Sequence, residues 1–219
     1  MTNEASRPLT LGVILYPGFE LLDVFGPLEM FAAVGRNRLV PYIVAERAGP
    51  VPAGTVADGH AGPRVVADFG FDDAPELDVL LLPGGIGTFP ELENEKMLAF
   101  LRDRSRRARI TTSVCTGSAL LAKAGVLDGL RATTNKMYFS LGRQQSNAVE
   151  WVEAARWVDA GAFVTSSGVS AGIDMALAVI ARLFGTETAE QIAIGTEYTW
   201  HRDPNDDPFV QYLDYATRA

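Results

Sequence analysis

The chain has 219 residues, 47% of them hydrophobic and 21% charged, an ordinary balance for one α/β domain with enough chain to bury a core. Its formal net charge of −8 argues against nucleic acid as the main partner, because phosphate binding needs a basic face. The single cysteine cannot form an internal disulfide, residues 1–10 (MTNEASRPLT) lack the apolar core of a secretory leader, and no apolar run is long enough to span a membrane.

The expectation is a soluble, acidic, cytoplasmic protein with no membrane partner. Residues 1–8 read as a mobile polar tail and 9–219 as a single domain. Residues 9–16 (LTLGVILY) have the near-continuous apolar character of a strand buried on both faces, and Pro17-Gly18 break it. Asp23 could cap a helix over 28–34, with Pro27 in its first turn. Residues 40–45 read as a second strand, and the Gly-, Pro- and Ala-rich stretch 51–66 as a hairpin excursion. A third buried strand, 78–83 (DVLLLP), runs into Gly84-Gly85-Ile86-Gly87-Thr88.

Residues 94–108 are amphipathic, with Met97, Leu98 and Leu101 at helical spacing and Arg102, Arg104, Arg106 and Arg107 largely on the wet side. Residues 110–114 form the strand that delivers Cys115, and 116–124 the helix behind it, stopped at Gly125. A short strand at 132–134, a helix at 137–145, an ambiguous stretch at 151–159 and a strand at 162–166 follow. Residues 170–184 read as a long apolar helix buried between layers, and 187–198 as a further helix. The segment 201–208 (HRDPNDDP) is polar and turn-forming. Asp203, Asp206 and Asp207 there read as a solvated turn, since their spacing does not fit an EF-hand. Strands alternating with helical segments predict β-α-β crossovers and a mostly parallel sheet with helices on both faces. Ligands in such sheets bind beyond the carboxyl ends of the strands, where the Asp23, Gly84-Gly85 and Cys115 stretches all fall.

Cys115 stands in Ser113-Val114-Cys115-Thr116-Gly117, at the junction of a predicted strand and helix. Small residues two before and two after suit a sharp turn that exposes a nucleophile, and a helix N-terminus favours the thiolate. Such a thiol needs a proton manager and an anion stabiliser. The two histidines, His60 and His201, lie in a Gly-rich excursion and a C-terminal turn, so a Cys-His pair is the weaker option. Asp23 is the better candidate, because an apolar setting raises a carboxyl pKa and lets it exchange a proton with a thiol. Gly84-Gly85 could present backbone N–H groups to an anion, and Thr116 lies beside the reacting centre. No metal-ligand spacing is evident, and no cofactor is expected.

Four blocks together resemble the ThiJ/PfpI superfamily: L-L-D-V-F-G-P-L-E-M-F, L-L-L-P-G-G-I-G-T, T-S-V-C-T-G-S-A-L-L-A-K-A-G-V-L-D-G-L-R-A-T-T and S-S-G-V-S-A-G-I-D-M-A-L. Within it, the chain is most similar to the isocyanide hydratase branch, which carries L-D-x-x-G-P and S-V-C-T-G. The resemblance implies a flavodoxin-like (class I glutamine amidotransferase-like) three-layer sandwich, a nucleophile elbow and a homodimer. It also implies a small-molecule substrate, hydration of R–N≡C to an N-substituted formamide, and no cofactor. Carried over, Cys115 matches the nucleophile, Asp23 the acid/base and Thr116 the residue after the nucleophile. Gly84, Gly85 and Ile86 match a pocket wall, and Gly168 and Val169 a tight turn near the cysteine. Protease- and deglycase-like relatives place histidine where this chain has Thr116. Hydratase relatives read A-T-T-H-W where this chain reads Ala132-Thr133-Thr134-Asn135-Lys136. Other small-carbonyl chemistry, of the glyoxalase or amidase kind, and a redox or ligand sensor using Cys115 remain the alternatives. The first block also resembles the sensor domain of AraC-type regulators, whose appended helix-turn-helix domain is not expected within 219 residues.

Overall fold

The computed structural model describes residues 7–54 and 62–217. Its elements are β1 (Leu9–Ile14), α1 (Leu21–Ala32), β2 (Leu39–Val44), β3 (Gly49–Pro52), β4 (Arg64–Ala67), β5 (Val79–Leu82), α2 (Thr88–Glu91), α3 (Glu95–Arg107) and β6 (Ile110–Ser113). They continue with α4 (Gly117–Lys123), β7 (Arg131–Ala132), α5 (Phe139–Gln145), β8 (Glu150–Trp151), β9 (Trp157–Asp159), β10 (Phe163–Ser166), α6 (Ala171–Phe184) and α7 (Thr186–Gly195). Two 3-10 turns, Val210–Tyr212 and Tyr215–Thr217, close the described chain.

The central sheet has the order β2-β1-β5-β6-β10-β9. Its first five strands are parallel and β9 runs antiparallel at the edge. One helical layer holds α1, α6 and α7, and the other α2 to α5, giving the expected α/β three-layer sandwich. Strands β1, β5 and β6 are mostly or wholly buried, as their apolar runs require when helices cover both faces. Chain order reverses between β1 and β5, which opens a crevice at their carboxyl ends. The hairpin excursion is β3 paired with β4, and its tip, including His60, lies outside the described residues. The ambiguous stretch 151–159 divides between the end of β8, which pairs with β7, and the edge strand β9.

Four local expectations are corrected. Helix α1 begins seven residues before the predicted 28, so Asp23 lies inside its first turn and caps nothing; the N-cap is Glu20, which makes no side-chain capping bond. Val24, Met30 and Phe31 supply the buried face that extends the helix past Pro27 in its interior. Arg104 turns inward and donates to the Ala74 and Pro75 carbonyls at 2.8 and 2.9 Å, because a long side chain can reach unpaired loop acceptors ahead of β5. Asp207 is buried beside Lys136 at 3.5 Å, not solvated. Arg7, within the tail expected at 1–8, holds both carboxylate oxygens of Asp78 at 2.7 and 3.0 Å; residues 1–6 lie outside the described chain.

Candidate active site

Strand β6 ends one residue before Val114, and the chain turns sharply at Cys115, whose φ of 57° is left-handed. A non-glycine residue adopts that conformation only when its surroundings impose it. Three bonds do so. The Cys115 N–H donates to the Ser167 carbonyl at 2.9 Å, and its own carbonyl accepts from the Thr134 and Ser118 hydroxyls at 3.0 and 3.2 Å. Gly117 is needed for packing. A Cβ there would stand 2.6 Å from the Leu82 and Pro83 carbonyl oxygens, so α4 approaches β5 only over a glycine. Val169 is also left-handed, with φ of 34°, and the turn Ser167–Val169 faces the elbow from the end of β10.

Asp23 is fully buried, and its Oδ2 accepts from the Gly84 N–H at 2.8 Å. Burial pushes its pKa up to about 7, while the Gly84 bond and the nearby Cys115 thiol oppose the rise. Among the described residues no donor completes a bond of ordinary geometry to its Oδ1, which leaves that oxygen for the weakly donating thiol. The sulfur's proton affinity is raised too, first by burial and then by the Asp23 charge. Three donors oppose that rise: the Asn135 side-chain amide and the N–H groups of Thr116 and Val169. The direction is opposite to the lowered thiol pKa that a helix N-terminus suggested. Desolvation, and after it the facing carboxylate, favour the protonated sulfur.

Thr116 directs its hydroxyl into a chain of hydroxyls. The Tyr16 hydroxyl donates to the Pro83 carbonyl at 2.7 Å and so accepts from Thr88 at 3.0 Å. Thr88 in turn accepts from Thr116 at 2.8 Å, and the Thr116 oxygen accepts from the Gly85 N–H at 3.1 Å. Each hydroxyl hydrogen is thus committed. Gly84 and Gly85 likewise spend their N–H groups on Asp23 and Thr116, not on a free anion hole as their sequence suggested. A Cβ on Gly84 would meet the Thr116 N and Oγ1 at 2.5 Å.

A cavity of about 270 Å³ opens over the sulfur. Gly85, Ile86, Thr116 and Val169 line it, together with Phe89, Tyr138, Glu20 and Asn135. Gly84, Gly168 and His201 are not among its lining residues, and His60 lies outside the described residues. Sequence reasoning missed Asn135, whose amide donates to the Cys115 Sγ at 3.0 Å. The available signal was the departure from A-T-T-H-W at positions 135 and 136. Lys136, by contrast, turns into the core, donating to the Thr133 Oγ1 at 2.9 Å and the Ala155 carbonyl at 2.7 Å. Among the described residues no group of three His, Cys, Asp or Glu side chains could hold a metal ion, and no helix is long and apolar enough to cross a membrane.

A left-handed cysteine opposed by a buried carboxyl, at the reversal point of a parallel sheet, defines an α/β sandwich protein with a nucleophile-elbow architecture. Residues 10–182 match the DJ-1/PfpI family, and the chain belongs to that family. It is 36% identical over 190 residues to the isonitrile hydratase of Pseudomonas putida, covering 87% of this chain and 78% of that one. It is 33% identical to an HTH-type transcriptional regulator, GbdR, of Pseudomonas aeruginosa; the match takes in 85% of this chain but spans only 50% of the regulator. Among solved structures, a ThiJ/PfpI family protein from Pseudomonas syringae superposes with a TM-score of 0.76 at 33% identity, covering 92% of this chain and 78% of that one.

Proposed function

We propose that this chain is a cysteine-dependent isocyanide hydratase, acting in the cytoplasm as a homodimer and without a cofactor. The observation that carries the reading is the pairing of the Cys115 thiol with a buried Asp23 carboxyl whose pKa is about 7. Such a pair can move one proton either way near neutral pH. Asp23 takes the thiol proton as the sulfur attacks the terminal carbon of R–N≡C, forming the S–C bond. It returns that proton to the same carbon, leaving the thioimidate R–N=CH–S. Asp23 then removes a proton from water as its oxygen adds to the carbon, and delivers it to nitrogen. As the C–S bond breaks, the hydroxyl proton passes through Asp23 to the departing sulfur, and R–NH–CHO is released. Thr116 positions this centre through its hydroxyl chain to Thr88 and Tyr16 and its N–H toward the sulfur. Ile86, Phe89, Tyr138 and Val169 offer an apolar wall for the substituent on nitrogen.

The 36% identity to an isonitrile hydratase supports the reading, as does Thr116 in place of a histidine. Formation of the N-aryl formamide from an aryl isocyanide, followed by absorbance, tests it. Turnover by the reduced protein is expected, with Cys115→Ser and Asp23→Asn each slower by at least about a hundredfold. No formamide from several isocyanides would sink it. The 33% identity to a transcriptional regulator favours a second reading, a ligand sensor. Saturable binding of an isocyanide without turnover would favour that one.

A further inference from the structure

The loop from Thr133 to Tyr138 is built to aim one amide at the sulfur. The Thr133 N–H donates to the Thr165 Oγ1 at 2.8 Å, and the Thr134 hydroxyl ties the loop to the Cys115 carbonyl at 3.0 Å. Lys136 anchors it from below, with Asp207 beside its ammonium. The Asn135 Oδ1 accepts from the Met137 and Tyr138 N–H groups at 2.8 and 3.3 Å. Those two donors leave one orientation for the amide: oxygen toward the loop backbone, Nδ2 toward the Cys115 Sγ. The room for this comes from Gly168, where a Cβ would stand 2.8 Å from the Nδ2.

We propose that Asn135 is a catalytic residue of the Cys115 centre, its side-chain amide donating to the sulfur so as to stabilise the thiolate that attacks substrate and to hold it over the cavity. The need for such a donor follows from the surroundings. Burial and the Asp23 charge both disfavour a negative sulfur, and among the described residues no cationic side chain lines the cavity. Negative charge on sulfur must therefore be met by fixed N–H dipoles. Two of the three come from the backbone of Thr116 and Val169, and Asn135 supplies the only side-chain one. The role of Asn135 in turnover rests on the hydratase reading, but its effect on the thiolate does not.

The test is the pH dependence of Cys115 alkylation by iodoacetamide, run beside steady-state isocyanide turnover. Asn135→Asp keeps the acceptor that the Met137 and Tyr138 N–H groups need, so the loop retains its anchor while the donor is lost. Asn135→Leu removes both, and Gly168→Ala displaces the amide without changing it. All three are expected to move the alkylation midpoint upward, by about one pH unit for Asn135→Leu and further for Asn135→Asp. Alkylation at fixed pH and kcat should fall about tenfold or more, with KM moving less. A folded Asn135→Asp with the wild-type alkylation profile overturns the proposal. If the wild type makes no formamide but the alkylation shifts appear, the sulfur–amide contact stands and the hydratase reading alone falls.

Discussion

Asp23 and Cys115 were both named by sequence, as acid/base and nucleophile, but the effect of one on the other's protonation was not. Apolar neighbours in the chain announced a raised carboxyl pKa, but a residue's sequence surroundings do not say what faces it across a fold. Burial, and after it the facing Asp23 charge, raise the proton affinity of the thiol, against the expected thiolate. A pH dependence follows. The carboxylate form of Asp23 is the one that can take the thiol proton, so kcat/KM is expected to rise with pH through about 7 and then level, as stopped-time assays between pH 5.5 and 8.5 would show. The same buried charge lowers stability. The native carboxyl binds its proton more tightly than the unfolded one, which titrates near the ordinary 3.8. Native stability therefore falls as pH rises between about 4 and 7, and above that window the cost is complete. Asp23→Asn should thus be more stable than wild type at pH 8, by a few kcal/mol in order of magnitude, in urea unfolding. At pH 3 the difference should vanish.

Periodicity located nearly every core element to within a residue or two, because burial on both faces writes itself locally as an apolar run. It failed at α1, where Gly26 and Pro27 mimic a helix start. The helix forms through them because α6 packs against it: a Cβ on Gly26 would lie 2.7 Å from Ile173 Cγ1. That packing is tertiary and invisible in the pattern. The loop after β5 carries the reciprocal lesson. Its paired glycines were legible as a functional turn, but their role is close packing against the elbow, not a free anion hole. Gly84→Ala would drive a Cβ into the Thr116 backbone and hydroxyl, 2.5 Å away. It should lower stability by about 1–3 kcal/mol and reduce turnover at least about tenfold, measured by thermal unfolding and formamide formation.

Across the molecule, the segment after α7 is fastened to the sheet by buried charge. Asp174, at the start of α6, accepts the Arg156 guanidinium at 2.7 Å, the Tyr198 hydroxyl at 3.0 Å and the His201 N–H at 2.9 Å. Removing one partner of a buried pair strands the other. Asp174→Ala is therefore expected to cost about 3–5 kcal/mol in denaturant unfolding, while Asp203→Ala, on the surface, changes stability by less than about 0.5 kcal/mol. No charge pattern in the sequence separates these aspartates; only enclosure does. The alternation of strands and helices, the parallel sheet, the elbow at Cys115 and the family were all readable along the chain, since each rests on local spacing or on short motifs. Which donors face the sulfur, whether it holds its proton, and that Asn135 belongs to the centre while Lys136 belongs to the core were decided by tertiary structure. Desolvation and hydrogen-bond direction depend on atoms brought together from β1, β5, β6 and β10, far apart in sequence.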